Sequence, residues 1–500
     1  MATIKVCGIE TEYGILSPGP EQNPIAASSV LVNAYAADIE QQIGWDFEDE
    51  TPGNDARGFA REGSFAPMVE THLANTVLTN GARFYVDHAH PEYSSPECLT
   101  PLECVVFDKA GEEVLRRAML AAALRIPDQP APIVHKNNSD GKGNSYGCHE
   151  NYMMDRAVAF TRVIDGVVPH FVSRTLFTGS GKVGTETPAL DADTVHFQIS
   201  QRAELFEEVV GLETTLKRPI VNTRDEPHAD PKRFRRLHVI VGDANMSEIA
   251  TLLKVGTTAI VLAMVEDEAG PSRDLTLTDP VRALHQVSAD LSLRRPLDLA
   301  DGSTATALEI QWEIFGAARK YAAQHGLAAL GDDGGEDGVG ALVMRHWETV
   351  LAGLEADPTT LADTLDWVAK RQLLLAYQER HDCRWNDPRL AALALQYHDL
   401  RPDKSIYQRL GMRRAVTDDA VAAAVTEPPL GTRAWFRGKC LARWPDAVVT
   451  ANWDSLVFDI GTDPLRRVPM MDPLKGTAEH TGALLAQSTG PADLLERLNA

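Results

Sequence analysis

Apolar and polar positions along the chain change period several times, and each change predicts an element. Thr3 to Tyr13, Arg83 to Ala89 and Ser145 to Tyr152 read as strands. In Arg235 to Gly242, Leu237, Val239 and Val241 fall on one strand face and His238 and Ile240 on the other. Thr100-Pro101-Leu102-Glu103 has the form of a helix start: a capping threonine, a proline at the first helical position and a glutamate that closes a capping box. The helix is expected to run to about Leu124 through Val105, Val114, Leu115 and Leu120. Asn245, with Glu248 three positions on, predicts another helix start. From about Thr306 the pattern is mostly helical, with Leu308, Trp312 and Phe315 on one face. Gly331 to Gly340 is a Gly/Asp connection between helices, and Glu427 to Gly431 is the boundary expected before a small C-terminal domain of mixed strands. This divides the chain into a main domain, 1–426, and a tail, 427–500. The class is α+β: a sheet with helices on one side, then a helical region. One stretch has no clean period, Ser17 to Asn80, rich in Pro, Gly, Asp and Glu. An irregular segment of that length inside a domain is functional or disordered.

Composition narrows the function classes. The 500 residues are 44% hydrophobic and 24% charged, ordinary for a globular chain with a large core. No apolar run approaches the roughly 20 residues of a membrane helix, and Met1 to Val6 lacks a secretory apolar region. The expectation is a cytoplasmic protein without a membrane partner. A formal net charge of −23 argues against non-specific nucleic-acid binding. The six cysteines form no Cys-x-x-Cys pair, so a zinc ribbon is not expected. Lys217 to Arg236 runs against the acidic trend, with seven basic and three acidic side chains. It is either a solvated surface or a local anion site.

The chemistry-bearing residues cluster in the first half. Glu10 and Glu12, two apart on a strand, point the same way, and two adjacent carboxylates call for a cation, with Mg²⁺ the hard, oxygen-seeking choice. Arg83, Tyr85 and Asp87 alternate onto one polar face, and Glu92 follows on the next segment; His88 and His90 carry little weight as ligands. His149 and Asn151 share a face with Glu150 opposite, and His149 and His238 could both reach a metal if their strands are neighbours. Thr178 to Gly184 is not a Walker A loop, since Leu176 stands at its first glycine and Val183 replaces the Ser/Thr, but it could be a flexible loop near phosphates. His149-Glu150 lacks the second histidine of a zinc protease.

Gly8 to Gly14, Asn80 to Glu97, Asn137 to Tyr152 and Asn222 to His228 together resemble the Pup ligase and depupylase family, relatives of glutamine synthetase. Pup is the prokaryotic ubiquitin-like protein that tags substrates for bacterial proteasomes. The resemblance runs from Ile4 to about Gly482. It implies a glutamine-synthetase-like curved antiparallel sheet backed by helices, with Mg²⁺ and ATP, or ADP with phosphate, in the concave face. It implies Glu10, Tyr85 and Glu92 as metal ligands, with Glu12, His149 and His238 as further ones. It assigns Arg83, Ser95, Arg433 and Trp453 to the nucleotide, and Arg202, Arg224 and His228 to the C-terminal Glu or Gln of Pup. Asp87 matches the catalytic aspartate, as base or nucleophile.

Within that family the depupylase branch is favoured. Trp45 to Glu48 and Asp55 to Phe59 look like its additional loop, expected here as a mobile cover over the nucleotide pocket, and Asp87-His88-Ala89-His90-Pro91-Glu92 has its spelling. Thr11 is the ligase-like choice and Cys148 replaces an expected serine. The implied activity is hydrolysis of the Pup–lysine isopeptide bond and deamidation of a C-terminal Gln of Pup, with nucleotide not consumed. The alternatives are an ATP-consuming Pup ligase and a non-catalytic Pup-binding adaptor, the latter disfavoured by the intact Glu10, Tyr85, Asp87 and Glu92.

Overall fold

The computed structural model describes residues 1–17, 23–40, 43–48, 50–60, 74–126, 130–332 and 334–498. Its centre is a six-stranded sheet built from β1 (Cys7–Glu12), β2 (Asn75–Val77), β3 (Arg83–Asp87), β4 (His90–Ser94), β5 (Cys148–Asp155) and β6 (Phe234–Val239). The spatial order is β6-β5-β1-β4-β3-β2, antiparallel throughout. Alternation along the strands divides the side chains. Cys7, Ile9, Phe84, Val86, Tyr152 and Leu237 enter the main core, while their polar neighbours face the other way.

The core face is covered by helices, among them α1 (Pro24–Asp38), α2 (Pro101–Arg125), α3 (Phe160–Ser173) and α4 (Glu248–Glu266). The capping box of Thr100 and Glu103 is present at α2 as the sequence predicts. At α4 the cap is Ser247, accepting from the Ala250 N–H, and not Asn245, whose side chain bonds Thr178 O and Asp366. The stretch 17–80 is more regular than expected, because α1 lies within it. That helix is apolar on several sides, packing against both α2 and the sheet, so it shows no one-sided stripe to read. The expectation about apolar runs is also amended: α4 is long and apolar enough to cross a membrane, with mean hydropathy 1.7, but 94% of it is buried, which makes it the central core helix.

The predicted strand from Arg83 to Ala89 stops at Asp87. His88 adopts φ +51°, and Asp87 pairs with His90 across a two-residue turn, so the chain reverses at once into β4. A second, smaller core gathers Phe436, Leu441, Leu456 and Phe458 from the C-terminal segment with Ile43, Trp45 and Val77. There Gly44–Trp45 pairs in parallel with Val448–Ala451, completing a four-stranded sheet.

Candidate functional site

The polar face of the sheet forms the floor of a cleft of about 1620 Å³. Register brings the acidic residues together: Glu12 lies opposite Glu92 and Glu92 opposite Tyr85, while Glu10 lies opposite His149 on one side and Ser94 on the other. Two clusters result. Glu12, Asp87 and Glu92 offer carboxylate oxygens within 4.8 Å of one another, and Glu10, His149 and His238 offer one oxygen and two ring nitrogens at the same spacing. The first is a hard, all-oxygen set suited to Mg²⁺; the second mixes in imidazole.

The electrostatics follow from crowding. Burial, then Asp87, Glu12 and Glu10, push the Glu92 carboxyl well above the usual range, against the 2.5 Å bond from the Tyr85 hydroxyl. Burial also pushes Asp87 up, but His88 at 3.0 Å, with His149 and Arg83, outweighs it and leaves the carboxyl lowered. Of Asp87 and Glu92, the first is therefore the readier to ionise and the second the readier to hold a proton when no cation is bound. Glu10 is held well below its usual range: burial opposes this, and His149, His238 and Arg236 prevail. Gly147 has a local reason to be glycine, since a Cβ there would meet the His149 ring at 2.1 Å.

One end of the cleft is aromatic. The Arg83 guanidinium lies 4.1 Å from the Trp45 ring and 3.8 Å from the Tyr85 ring, and donates to Asn75 at 3.2 Å. Trp45 meets Trp453 edge-on at 5.1 Å and donates its indole N–H to Glu50 at 2.6 Å. A smaller cavity beside it is lined by Gly8, Ile9, Ser95, Pro227, Arg433 and Trp453. Trp45 belongs to the expected loop motif, whereas Glu50 carried no local signal in the sequence beyond its place in the irregular stretch.

All the predicted site residues except Ser95 and Arg433 line the main cleft, and those two line the smaller cavity. Several carry bonds within the chain that the sequence did not show. The Ser95 hydroxyl accepts from the Ile9 N–H and donates to Pro96 O, so it is already occupied. Arg202 is buried, donating to Ile240 O, Gly242 O and Ser145, and so braces the wall of the cleft. Arg433 bonds Glu97 and Met470 O, while Arg437 bonds the same Glu97 and Gly81 O. Burial pushes the Glu97 carboxyl up, yet the two arginines hold it at about 2. This ion-paired joint ties the helix Ala434–Arg443 to the segments that flank β3 and β4.

His228, at φ +45°, is 3.7 Å from Glu226; burial, reinforced by Arg236 and Arg433, brings it down to about 4. Arg224 lines the cleft, with its Nε buried and without a hydrogen-bond partner. Its backbone is pinned by the 54–56 segment, through an Asp55–Arg224 bridge and a 2.6 Å bond from Thr223 to Asp55. The basic stretch therefore divides, with Lys217, Arg218, Arg224 and Arg236 in the cleft wall and Arg235 buried against Phe160. The Gly179–Gly184 loop is no phosphate cradle: Lys182 is buried and bonded to Glu186 and Glu204. The cover expected over 17–80 falls partly on residues 18–22, 41–42, 49 and 61–73, which lie outside the described residues.

Comparison with known proteins places this geometry. The family described as "Pup-ligase protein" matches residues 5–457. The chain belongs to the Pup-ligase family. Among relatives in it, a protein named depupylase from Acidothermus cellulolyticus is 49% identical, over 99% of both chains. A Pup deamidase/depupylase from Mycobacterium tuberculosis is 47% identical over the same shares. A Pup–protein ligase from Nocardia farcinica is 41% identical, over 83% of this chain and 90% of its own. Of solved structures, the complex of Pup with its ligase PafA superposes with a TM-score of 0.80 at 30% identity, covering 99% of this chain and 94% of the other. The ADP complex of PafA gives 0.73 at 33%, covering 84% and 91%. The glutamine-synthetase-like antiparallel sheet expected from the resemblance is thus the fold observed in this Pup-ligase family member.

Proposed function

We propose that the chain is a depupylase and Pup deamidase that hydrolyses γ-carbonyl amides at the C-terminus of Pup, with Pup and pupylated proteins as its partners and the cytoplasm as its place of action. The observation that carries this reading is sequence identity of 49% and 47% to named depupylases over 99% of the chain, where the Nocardia farcinica ligase reaches 41% over 83%.

The cleft supplies what the reaction needs. Glu12 and Glu92 with Tyr85 fit a Mg²⁺-type cation by donor chemistry, and Glu10 with His149 and His238 offers a mixed oxygen and nitrogen set for a second divalent cation. Such cations, when bound, would neutralise the nucleotide phosphates and polarise nearby oxygens. Trp453 and Arg83 offer the aromatic and cationic surfaces for ATP, or for ADP with phosphate; Arg224 offers a fork for the Pup carboxylate. Asp87, ionised at the cleft floor, either attacks the γ-carbonyl or takes a proton from the attacking water. By both routes water is added across the amide, giving a C-terminal Glu on Pup and releasing lysine amine or ammonia. Nothing in that balance consumes nucleotide.

The test is a purified Pup–protein conjugate incubated with the chain, Mg²⁺ and ATP. Free Pup should accumulate with no matching ADP. One ADP per Pup joined to protein, with no cleavage, would replace this reading by the ligase.

A further inference from the structure

We infer that Asn151 is the positioning residue for a cation held by Glu10, His149 and His238, fixing which ring nitrogen of His238 faces it and keeping Arg236 off Glu10. This rests on the proposed reading that those three residues hold a cation. The argument starts from the orientation of one amide. One end of the Asn151 side chain lies 2.6 Å from Arg236 and the other 2.6 Å from a Glu10 carboxylate oxygen. A guanidinium only donates and a carboxylate only accepts, so the first end must be Oδ1 and the second Nδ2.

His238 follows from this. Its Nδ1 lies 3.0 Å from the same Oδ1, so Nδ1 must carry the proton. Arg236 also approaches Nδ1, at 3.4 Å, but its nearer acceptor is Oδ1, and an unprotonated Nδ1 would set a lone pair against that oxygen. The lone pair of His238 is left on Nε2, the only ring nitrogen available to a cation.

Asn151 also keeps Arg236 from Glu10. The guanidinium is 3.8 Å from the Glu10 carboxylate while bonded to Asn151. Without the amide it can close on Glu10 and take the place of a cation. The opposite strand face shows that this polarity is local: Glu150, one residue away, pairs bidentately with Arg174.

The test uses the full chain, nucleotide-free, with Mn²⁺ as the probe. In ¹⁵N-histidine-labelled wild type, His238 should show the Nδ1–H form, and Mn²⁺ should broaden the His149 and His238 signals. Asn151→Leu should weaken that Mn²⁺ binding about 10- to 100-fold and lose the single Nδ1–H form. Asn151→Asp keeps an acceptor for His238 and should keep the Nδ1–H form. If Asn151→Leu does not fold, Asn151→Ala removes the shared acceptor with less bulk and is read the same way. Wild type whose His149 and His238 signals ignore Mn²⁺ would overturn the cation reading itself. Broadening in wild type, with unchanged affinity and an unchanged Nδ1–H form in the Leu or Ala variant, would overturn the role of Asn151 alone.

Discussion

The two faces of the central sheet treat charge in opposite ways. On the helix side, Glu150 accepts both arms of Arg174 and the Tyr152 hydroxyl, and Lys136 pairs with Asp108 and Glu112. Every one of these acids has a cation from the chain itself. On the cleft side, Glu12, Asp87 and Glu92 lie within 4.8 Å of one another, and Glu92 meets a tyrosine and a serine in place of a cation. His149 and Asn151 on one side and Glu150 on the other are consecutive in β5, so the difference is one of facing direction. Buried charge balanced internally holds a fold; buried charge left in excess is an invitation to a ligand.

The largest effect should come from the balanced face. Glu150→Ala leaves Arg174 buried and unpaired and should cost about 3–5 kcal/mol in denaturant unfolding. A loss below roughly 1 kcal/mol would mean that the back-face pair is not what it is taken for. On the cleft face, Asp87→Asn should leave the unfolding curve nearly unchanged and lower Pup cleavage about 10²- to 10⁴-fold. Cleavage at the wild-type rate would remove Asp87 from catalysis.

A third outcome concerns pH. Glu92 binds its proton more tightly in the folded chain than in the unfolded one, because of burial and the neighbouring carboxylates. Its contribution is therefore present at low pH and is lost as pH rises above the usual glutamate range towards the raised value. In metal-free buffer, Glu92→Gln should flatten that fall by on the order of 1 kcal/mol relative to wild type. Mg²⁺ should restore wild type and leave the variant little changed. Identical pH profiles would end the claim that the cleft face is under-balanced. The smallest effect is expected for Arg224→Ala: a few-fold higher Pup concentration for half-maximal rate, shrinking as salt rises. No change at low salt would detach Arg224 from Pup.

Strand period made most of the cleft legible in the sequence. Glu10 with Glu12, and Arg83 with Tyr85 and Asp87, fell on one face because a period of two leaves no other arrangement, and the α2 start was written in Thr100, Pro101 and Glu103. What the sequence did not show was which polar side chains are already occupied. Ser95 and Arg202 look free in the sequence and are bonded to backbone groups brought from elsewhere in the chain or across a turn. Asn151 was seen to share a face with His149, but its meaning depends on Glu10 and Arg236, 141 and 85 positions away. Trp45 gave no sign that it would pack on Arg83, since cation–π contacts between distant segments have no spacing rule.

The parallel pairing of Gly44–Trp45 with Val448–Ala451 has a practical consequence for anyone building chimaeras within the family. The tail is not a cassette. A transplant that begins at Glu427 would arrive without Ile43 and Trp45, which its small core needs, and would leave them behind in the donor. Arg467 would likewise lose Asp46, 2.9 Å away. An exchange of tails between a depupylase and a ligase should therefore be cut twice, taking 43–48 with the C-terminal segment, so that the two halves of one sheet travel as a matched set.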